Sequence, residues 1–322
     1  MHTNWPKLLR RKFTSSFPAW YFLEYIVLHA TMALINFFPI KVSTWITRRM
    51  GEIMFLILAP RRRTALNNLT IAFGNSKSDS EKIKIALESF RNLITSFMEF
   101  FRLPKFINIS AKHILSKGDE HLDNAFARGK GLILAMSHLG PWEYLGVFGY
   151  LKKYPSAIMG RALRNPYIYR RITALRKTAK LDHIDKDAGL KAVFSKLRQN
   201  HGVAIAIDQW AGNEGIWIDF FGAPTSTTSF PARIAKKTGC AIVPAYCIRV
   251  ASGKYEIHVE PGITFKENEN NWVENTTKKL NLLLEQKIRA YPGQWSWAHK
   301  RWKNKRHIKP VKNPLVSNAG SV

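Results

Sequence analysis

The chain has 322 residues, and its 50 lysine and arginine side chains outnumber its 22 aspartate and glutamate side chains, which gives a formal net charge of +28. Hydrophobic residues make up 46% of the chain and there are only two cysteines, so the composition excludes a disordered chain, a collagen-like repeat and a disulfide-stabilised scaffold. The positive charge indicates an anionic partner such as nucleic acid, an anionic membrane surface or an acidic substrate.

The first predicted element is an apolar segment, Ala19 to Ile40, with basic residues on both sides of it. Its length is near the ~20 residues that cross a bilayer core. However, Glu24 and His29 interrupt it, and an ionisable group at mid-membrane costs about 2.5–3.5 kcal/mol. We therefore expect a retained membrane anchor that lies in, or only partly crosses, the membrane. The alternative is an amphipathic helix that covers the domain's own core.

The rest of the chain alternates between helical and strand patterns. Apolar residues at helical spacing predict helices over 78–103, 142–152, 165–180, 189–199, 230–238 and 271–291. Short apolar runs bounded by turn residues predict strands over 131–137, 156–160, 203–208, 215–222, 241–250 and 254–260. This alternation predicts an α/β fold with a mostly parallel central sheet flanked by helices. We expect a membrane-anchoring helical region, an α/β domain and a basic tail, over 1–60, 61–305 and 306–322.

The two cysteines do not form a metal-binding pattern. Cys240 and Cys247 lie in apolar, strand-like sequence and form no C-x-x-C pair. We expect buried free thiols in a reducing compartment, and we predict no metal site.

The motif that most clearly suggests chemistry follows the predicted strand 131–137. His138 comes directly after this strand, and open α/β sheets bind ligands beyond the carboxyl ends of their strands. Gly140 permits a tight turn and Pro141 suits the first turn of a helix, so Glu143 can approach the imidazole across this bend.

An imidazole next to a carboxylate can deprotonate a hydroxyl group. His138 would act as the general base, and Glu143 would fix its tautomer and stabilise the imidazolium. A substrate hydroxyl would then be the attacking group, so that no nucleophilic serine is required. The alternative is a structural histidine that only makes hydrogen bonds.

The order of motifs resembles the bacterial lipid A biosynthesis acyltransferases, the lauroyl and myristoyl transferases of the lysophospholipid acyltransferase superfamily. The similar blocks are 129–143, 160–166, 207–235, 238–246 and 294–303. Pro141 departs from the family pattern, which usually has asparagine before the tryptophan. The resemblance implies His138 as the base, Glu143 as its orienting partner, and an acyl thioester as co-substrate in place of a cofactor.

Further residues of these blocks are candidates for substrate binding: Arg161, Arg164, Asp208, Gln209, Phe221, Gly222 and Thr227. The resemblance implies that Arg161 binds a phosphate or polarises the thioester carbonyl, and a solvated surface charge is the alternative. Asp208 and Gln209 end a buried strand, so they either bind substrate or brace the site. Arg164 belongs to the same arginine block as Arg161. Phe221 and Gly222 are expected to line an acyl groove or the core, and Thr227 is a candidate for a polar contact. Trp295, Trp297 and His299 are expected to pack against the site wall.

The leading hypothesis is O-acyl transfer from acyl carrier protein or acyl-CoA to a hydroxyl of a phosphorylated glycolipid, a lipid A precursor, at the cytoplasmic face of the bacterial inner membrane. The alternative acceptor is a lysophospholipid or another glycolipid or aminolipid. A hydrolase is disfavoured because the sequence contains no G-x-S-x-G motif. A nucleic-acid-binding protein is disfavoured because the basic charge comes without a recognition motif, and an anionic lipid attracts such charge equally.

Overall fold

The structure is a computed structural model that describes residues 19–185 and 189–303. Its helices are α1 (Ala19–Phe37), α2 (Ile40–Ile57), α3 (Ala59–Phe73), α4 (Asp79–Phe101), α5 (Leu103–Phe106), α6 (Glu120–Ala127), α7 (Tyr144–Leu151), α8 (Pro166–Thr178), α9 (Gly189–Arg198), α10 (Phe230–Thr238) and α11 (Trp272–Ala290). Its strands are β1 (Ile114–Lys117), β2 (Leu132–Met136), β3 (Ser156–Gly160), β4 (Leu181–Asp185), β5 (Gly202–Ala206), β6 (Ile216–Phe220), β7 (Ala223–Thr227), β8 (Ala241–Ala251) and β9 (Lys254–Val259).

The central sheet of the described residues has seven strands in the order β1-β9-β8-β2-β5-β3-β4. Strands β8, β2, β5, β3 and β4 run parallel to one another. Strand β9 is antiparallel to β8, and β1 is parallel to β9. The α/β fold with a mostly parallel sheet, as predicted, is therefore confirmed.

Some elements differ from the sequence prediction. The predicted strand 215–222 forms β6, but it pairs with β7 in a separate two-stranded antiparallel sheet rather than joining the central sheet. Strands β1, β4 and β7 were not predicted, because they are short and mix polar with apolar residues. Their strand structure comes from pairing with neighbours that are distant in sequence.

The two faces of the sheet bury two separate apolar cores. Ile133 and Ala135 of β2 face the core that is covered by α9, α10 and α11. Leu132 and Met136 of the same strand face the core that is covered by α6, α7 and α8. Buried parallel strands contribute apolar side chains to both faces, which explains why β2 is one continuous apolar run.

The N-terminal helices pack against the long helix α4. The predicted start of α4 is confirmed, because Ser78 and Glu81 cap it reciprocally through their side chains and backbone N–H groups. Helix α2 crosses α4 so closely that a Cβ atom added at Gly51 would lie 2.6 Å from the Cα atom of Arg91. The predicted apolar segment is divided between two helices, because α1 ends at Phe37 and α2 begins at Ile40.

Many apolar side chains of the first two helices remain exposed: Trp20, Phe22, Leu23, Ile26, Val27, Leu34, Phe37, Val42, Trp45, Ile53, Leu56 and Ile57. Within 19–185 and 189–303, none of the helices has both the length and the apolar character that a membrane crossing requires. The expected region boundaries remain predictions, and the tail 306–322 lies outside the described residues.

Candidate active site

The pairing of two parallel strands places His138 beside Asp208. Strands β2 and β5 pair with a constant register in which Met136 lies opposite Ala206. The same offset of 70 residues extends past the strand ends, where His138 and Asp208 lie next to each other. Both side chains therefore lie at the carboxyl edge of the sheet, where open α/β folds bind ligands.

Asp208 binds the imidazole and its backbone at the same time. The Nδ1 atom of His138 lies 2.9 Å from Oδ1 of Asp208, and the backbone N–H of His138 donates to Oδ2 at 2.8 Å. The indole N–H of Trp295 donates to the same Oδ2 atom at 2.9 Å. The carboxylate is 3% exposed and the imidazole 26% exposed, so Nε2 is the ring nitrogen left to accept a proton.

These contacts shift the pKa values of both groups. Burial alone would lower the pKa of His138, but the charge and hydrogen bond of Asp208, with a smaller effect of the Glu143 charge, raise it above the ordinary value of 6.5. Burial alone would raise the pKa of Asp208, but the contacts with His138 and Trp295 lower it. The carboxylate is therefore ionised and holds the imidazole in one orientation.

Glu143 is not the carboxylate that binds Nδ1 of His138, and this corrects the predicted pairing. Glu143 instead forms a bidentate ion pair with Arg176 of α8, at 2.6 Å and 3.1 Å. Arg176 also donates to Nδ1 of His183 at 3.0 Å. Burial and the arginine charge lower the pKa of His183 to about 4, so this imidazole is a neutral acceptor. Arg176 was not predicted from the sequence, because it lies 33 residues after Glu143 in the chain and meets it only through folding.

The loop after β2 is held by the segment near residue 295. Gly140 donates its N–H to the carbonyl of Gln294, and Leu139 forms an isolated antiparallel bridge with Trp295. Gly140 has φ +59°, and a Cβ atom there would lie 2.1 Å from the carbonyl oxygen of Cys247. Glycine is therefore required at this turn, and the conformation that it permits sets the direction of His138.

The loop after β5 is held by the last described residues. Arg301 is fully buried and donates to the carbonyls of Gln209 and Ser226 and to the hydroxyl of Thr227. His299 accepts the backbone N–H of Trp210 through Nε2 at 3.2 Å. The segment 294–303 thus holds the loop that contains Asp208. The expectation that it only packs against a wall missed these hydrogen bonds.

An apolar cavity lies beside His138, on the sheet face that α7 covers. Its walls come from β2, β3, β5, α6 and α7. The empty space between them comprises about 570 Å³ with the open solvent at its mouth, and about 40 Å³ of it admits the centre of a water-sized sphere. Trp142 and Glu143 line the end next to His138, and the ring centroid of Trp142 is 5.0 Å from that of the imidazole. Leu132 and Gly202 line the cavity at the other end of their strands. Met136 is four residues further along β2 than Leu132, so the cavity follows the strand for about 13 Å.

Phe221, Gly222 and Thr227 lie away from this cavity. Phe221 and Gly222 form the two-residue turn between β6 and β7, and both have positive φ angles, 54° and 71°. Such turns match the twist of the hairpin strands. Phe221 packs in the opposite core, where Arg289 lies 4.6 Å from its ring centroid.

The other predicted binding residues differ in exposure. Arg161 and Arg164 are exposed in the loop that follows β3, at the same sheet edge as His138, and Gln209 is exposed beside Asp208.

Cys240 and Cys247 are free and buried, as predicted. Burial raises the pKa of both thiols, so neither is an activated nucleophile.

Curated proteins with similar sequences are lipid acyltransferases. A phosphatidylinositol mannoside acyltransferase of Mycobacterium tuberculosis (strain ATCC 25618 / H37Rv) is 27% identical over 211 residues, which cover 63% of this chain and 66% of that protein, slightly less than two thirds. A lipid A biosynthesis acyltransferase of Haemophilus influenzae is 21% identical, with 83% of each chain covered. A lipid A biosynthesis lauroyltransferase of Escherichia coli is 24% identical, with 80% and 83% covered.

Among solved structures, the 1-acyl-sn-glycerophosphate acyltransferase PlsC of Thermotoga maritima matches with a TM-score of 0.38 and 12% identity, over 76% of this chain and 97% of that chain. This similarity is too low to support an inference. The family model of the bacterial lipid A biosynthesis acyltransferases matches residues 11–304, which is most of the chain. The chain therefore belongs to the bacterial lipid A biosynthesis acyltransferase family.

Proposed function

We propose that the protein transfers a fatty acyl group from an acyl thioester to a hydroxyl of a lipid A precursor, with His138 as the general base. The observation that carries this proposal is the position of His138, which is bound to Asp208 and packs against Trp142, a residue that lines the apolar cavity. A base beside an apolar channel fits a reaction in which a lipid hydroxyl meets a fatty acyl thioester.

The reaction needs no covalent enzyme intermediate. Nε2 of His138 takes the proton of the acceptor hydroxyl while its oxygen attacks the thioester carbonyl carbon. The C–S bond then breaks, and the imidazolium returns the proton to the leaving thiolate. Asp208 keeps Nδ1 protonated and stabilises the imidazolium, and Trp295 keeps the carboxylate in place. Ser137 is buried, which argues against a serine hydrolase mechanism.

The cavity is the proposed site of the acyl chain. Its walls are almost entirely apolar, and burial of each methylene group contributes about 0.8 kcal/mol to binding. Arg161 and Arg164 are proposed to bind phosphates of the donor or the acceptor at the open edge, because exposed guanidinium groups pair well with phosphate. The donor is acyl carrier protein or acyl-CoA, both of which are anionic.

We propose that the exposed apolar residues of α1 and α2 lie in the interfacial layer of a membrane, at the cytoplasmic face of the bacterial inner membrane. Burial of apolar area, together with attraction between basic residues and anionic lipid, determines how strongly such helices bind. Trp45 and Leu56, which are 60% and 66% exposed, lie three helical turns apart on one face of α2.

A second acceptor is supported by the comparisons. The relatives named phosphatidylinositol mannoside acyltransferases show 25–27% identity, against 21–24% for those named for lipid A. A mannosylated phospholipid is thus the alternative acceptor, and the roles of His138 and Asp208 would not change.

The test is in vitro acyl transfer with purified protein. Acyl carrier protein and CoA thioesters of several chain lengths are each combined with a lipid A precursor, a phosphatidylinositol mannoside or a lysophosphatidic acid, and the products are identified by mass spectrometry. Transfer to the lipid A precursor supports the proposal, and transfer only to a mannoside supports the second acceptor. Transfer to neither, with hydrolysis of the thioester alone, would contradict acyl transfer to these lipids.

A further inference from the structure

A second cleft lies between helices α1 and α8. Its walls are formed by Tyr25 of α1 and by Tyr167, Arg170 and Arg171 of α8. Its empty space comprises about 550 Å³ with open solvent included, and about 290 Å³ of it admits the centre of a water-sized sphere. The ring centroids of the two tyrosines are 5.9 Å apart, so the aromatic side chains form one wall of the cleft. None of these four residues belongs to the site around His138.

The side chains of this cleft are suited to an anionic group. Arginine pairs with phosphate oxygens through its planar fork of N–H donors, and tyrosine adds a hydroxyl and an aromatic face. The Nε atom of Arg171 is buried and has no hydrogen-bond partner among the described residues.

The position of the cleft favours a lipid as the source of this anion. Tyr25 lies on α1 between the exposed apolar residues Phe22, Leu23, Ile26 and Val27. A lipid whose phosphate occupies the cleft can therefore lay its chains along α1. Helix α8 begins beyond the carboxyl end of β3, so Arg170, one turn into the helix, lies near the same sheet edge as His138.

We propose that this cleft binds the phosphate group of a membrane lipid and thereby orients the protein on the membrane with the active-site edge towards the bilayer. This inference rests on the membrane association proposed above, and it does not depend on the acyl-transfer chemistry. A grip on phosphate differs from general attraction to negative charge, because the guanidinium fork and the tyrosine hydroxyls match phosphate oxygens in geometry.

The test compares binding of the full chain to two kinds of phosphatidylcholine vesicles with equal surface charge. In one kind the charge comes from phosphatidic acid, and in the other it comes from oleic acid. Wild-type protein is expected to bind the phosphatidic acid vesicles about tenfold more tightly. The variant Arg170→Ala/Arg171→Ala is expected to lose this preference, and Tyr25→Phe/Tyr167→Phe is expected to reduce it while retaining the aromatic packing.

The control Arg198→Ala/Lys279→Ala removes the same charge from exposed positions on α9 and α11 and is expected to keep the preference. Equal binding of wild type to both vesicles, or a preference that survives in Arg170→Ala/Arg171→Ala, would overturn the proposal. Inorganic phosphate and dioctanoyl phosphatidic acid are each added as competitors of vesicle binding. If inorganic phosphate inhibits the binding equally well, the ligand is a free anion and the lipid assignment is wrong. The variant His138→Ala should bind the vesicles like wild type. The vesicle assay therefore tests the cleft independently of whether His138 is the catalytic base.

Discussion

Asp208 contacts Nδ1 of His138, so Nε2 is the ring nitrogen that remains for the proposed proton transfer. Glu143 affects the imidazole only through its charge, because its oxygens are bound by Arg176. The two carboxylates thus make different contacts: Asp208 holds the imidazole of His138, and Glu143 forms an ion pair with Arg176 and lines the apolar cavity.

This difference predicts distinct effects of two conservative substitutions. Because the pKa of His138 is raised, the neutral base, and with it the rate, should increase with pH up to an inflection above 6.5. Asp208→Asn removes the hydrogen-bonded charge, so the inflection should move to lower pH and the maximal rate should fall by roughly 10²-fold or more. Glu143→Gln should move the inflection less. The check is the pH dependence of kcat/KM, and an inflection unchanged in Asp208→Asn but lowered in Glu143→Gln would restore Glu143 as the orienting group.

At this scale the sequence predicted the position of His138 beyond a buried strand, but not its contact with Asp208. His138 could be found because it follows an obvious buried strand and precedes a Gly-Pro turn. Asp208 was found as a site residue, but its contact with His138 depends on the register between β2 and β5, which neither strand reveals by itself. Arg176 and the hydrogen bonds of Trp295 depend on tertiary packing in the same way.

At the scale of elements, small residues that face α7 leave room for the apolar cavity that is proposed to bind the acyl chain. Ala204 lies in the middle of β5, and Gly202 begins that strand at the far end of the cavity. A Cβ atom at Gly202 would approach Phe126 at 3.2 Å, so the far end is already narrow.

Larger side chains at Gly202 and Ala204 should each shorten the acyl chain that the protein prefers, by different amounts. Gly202→Val blocks only the far end, so it should reduce transfer of the longest chains. Ala204→Leu blocks the middle, so it should favour shorter chains still. Rates with a series of donors of increasing length provide the measurement. Ala192→Leu, which adds the same volume on the opposite face of the sheet, should leave the chain-length profile unchanged. An identical profile in Ala204→Leu would show that the acyl chain binds elsewhere.

Helices and strands were predictable where their own residues carry a cap or a regular apolar pattern. Helix α4 carries its own cap and a long amphipathic pattern, and its prediction agrees closely with its bounds. Strands β1 and β7 form because they pair with β9 and β6, which their own sequences do not indicate. Phe221 and Gly222 were predicted to line an acyl groove or the core, and Phe221 lies in the core. The hairpin turn that they form was not predicted, because a bulky residue at positive φ is unexpected from sequence.

At the scale of the whole molecule, the net charge of +28 and the exposed apolar helices α1 and α2 support the same proposal, binding to an anionic membrane. Composition predicted the anionic partner but did not distinguish lipid from nucleic acid. The family of the chain, together with the exposed apolar surface, now favours lipid.

The membrane proposal predicts that Trp45→Glu/Leu56→Glu lowers affinity for anionic vesicles by at least about tenfold, because each buried side chain of this size contributes about 1.5–3 kcal/mol. Sedimentation with the vesicles provides the measurement. Leu282→Glu, an exposed apolar position on α11, is the control and should bind normally. Unchanged binding of the double variant would show that α2 does not contact the membrane.

The central claim is that Nε2 of His138 removes the proton from the lipid hydroxyl. The most direct measurement is the initial rate of acyl transfer by His138→Ala, with circular dichroism and vesicle binding used to show that the variant folds. A loss of roughly 10²–10⁴-fold in rate, with fold and membrane binding retained, is the expected result. Turnover at the wild-type rate by the folded variant would contradict the account.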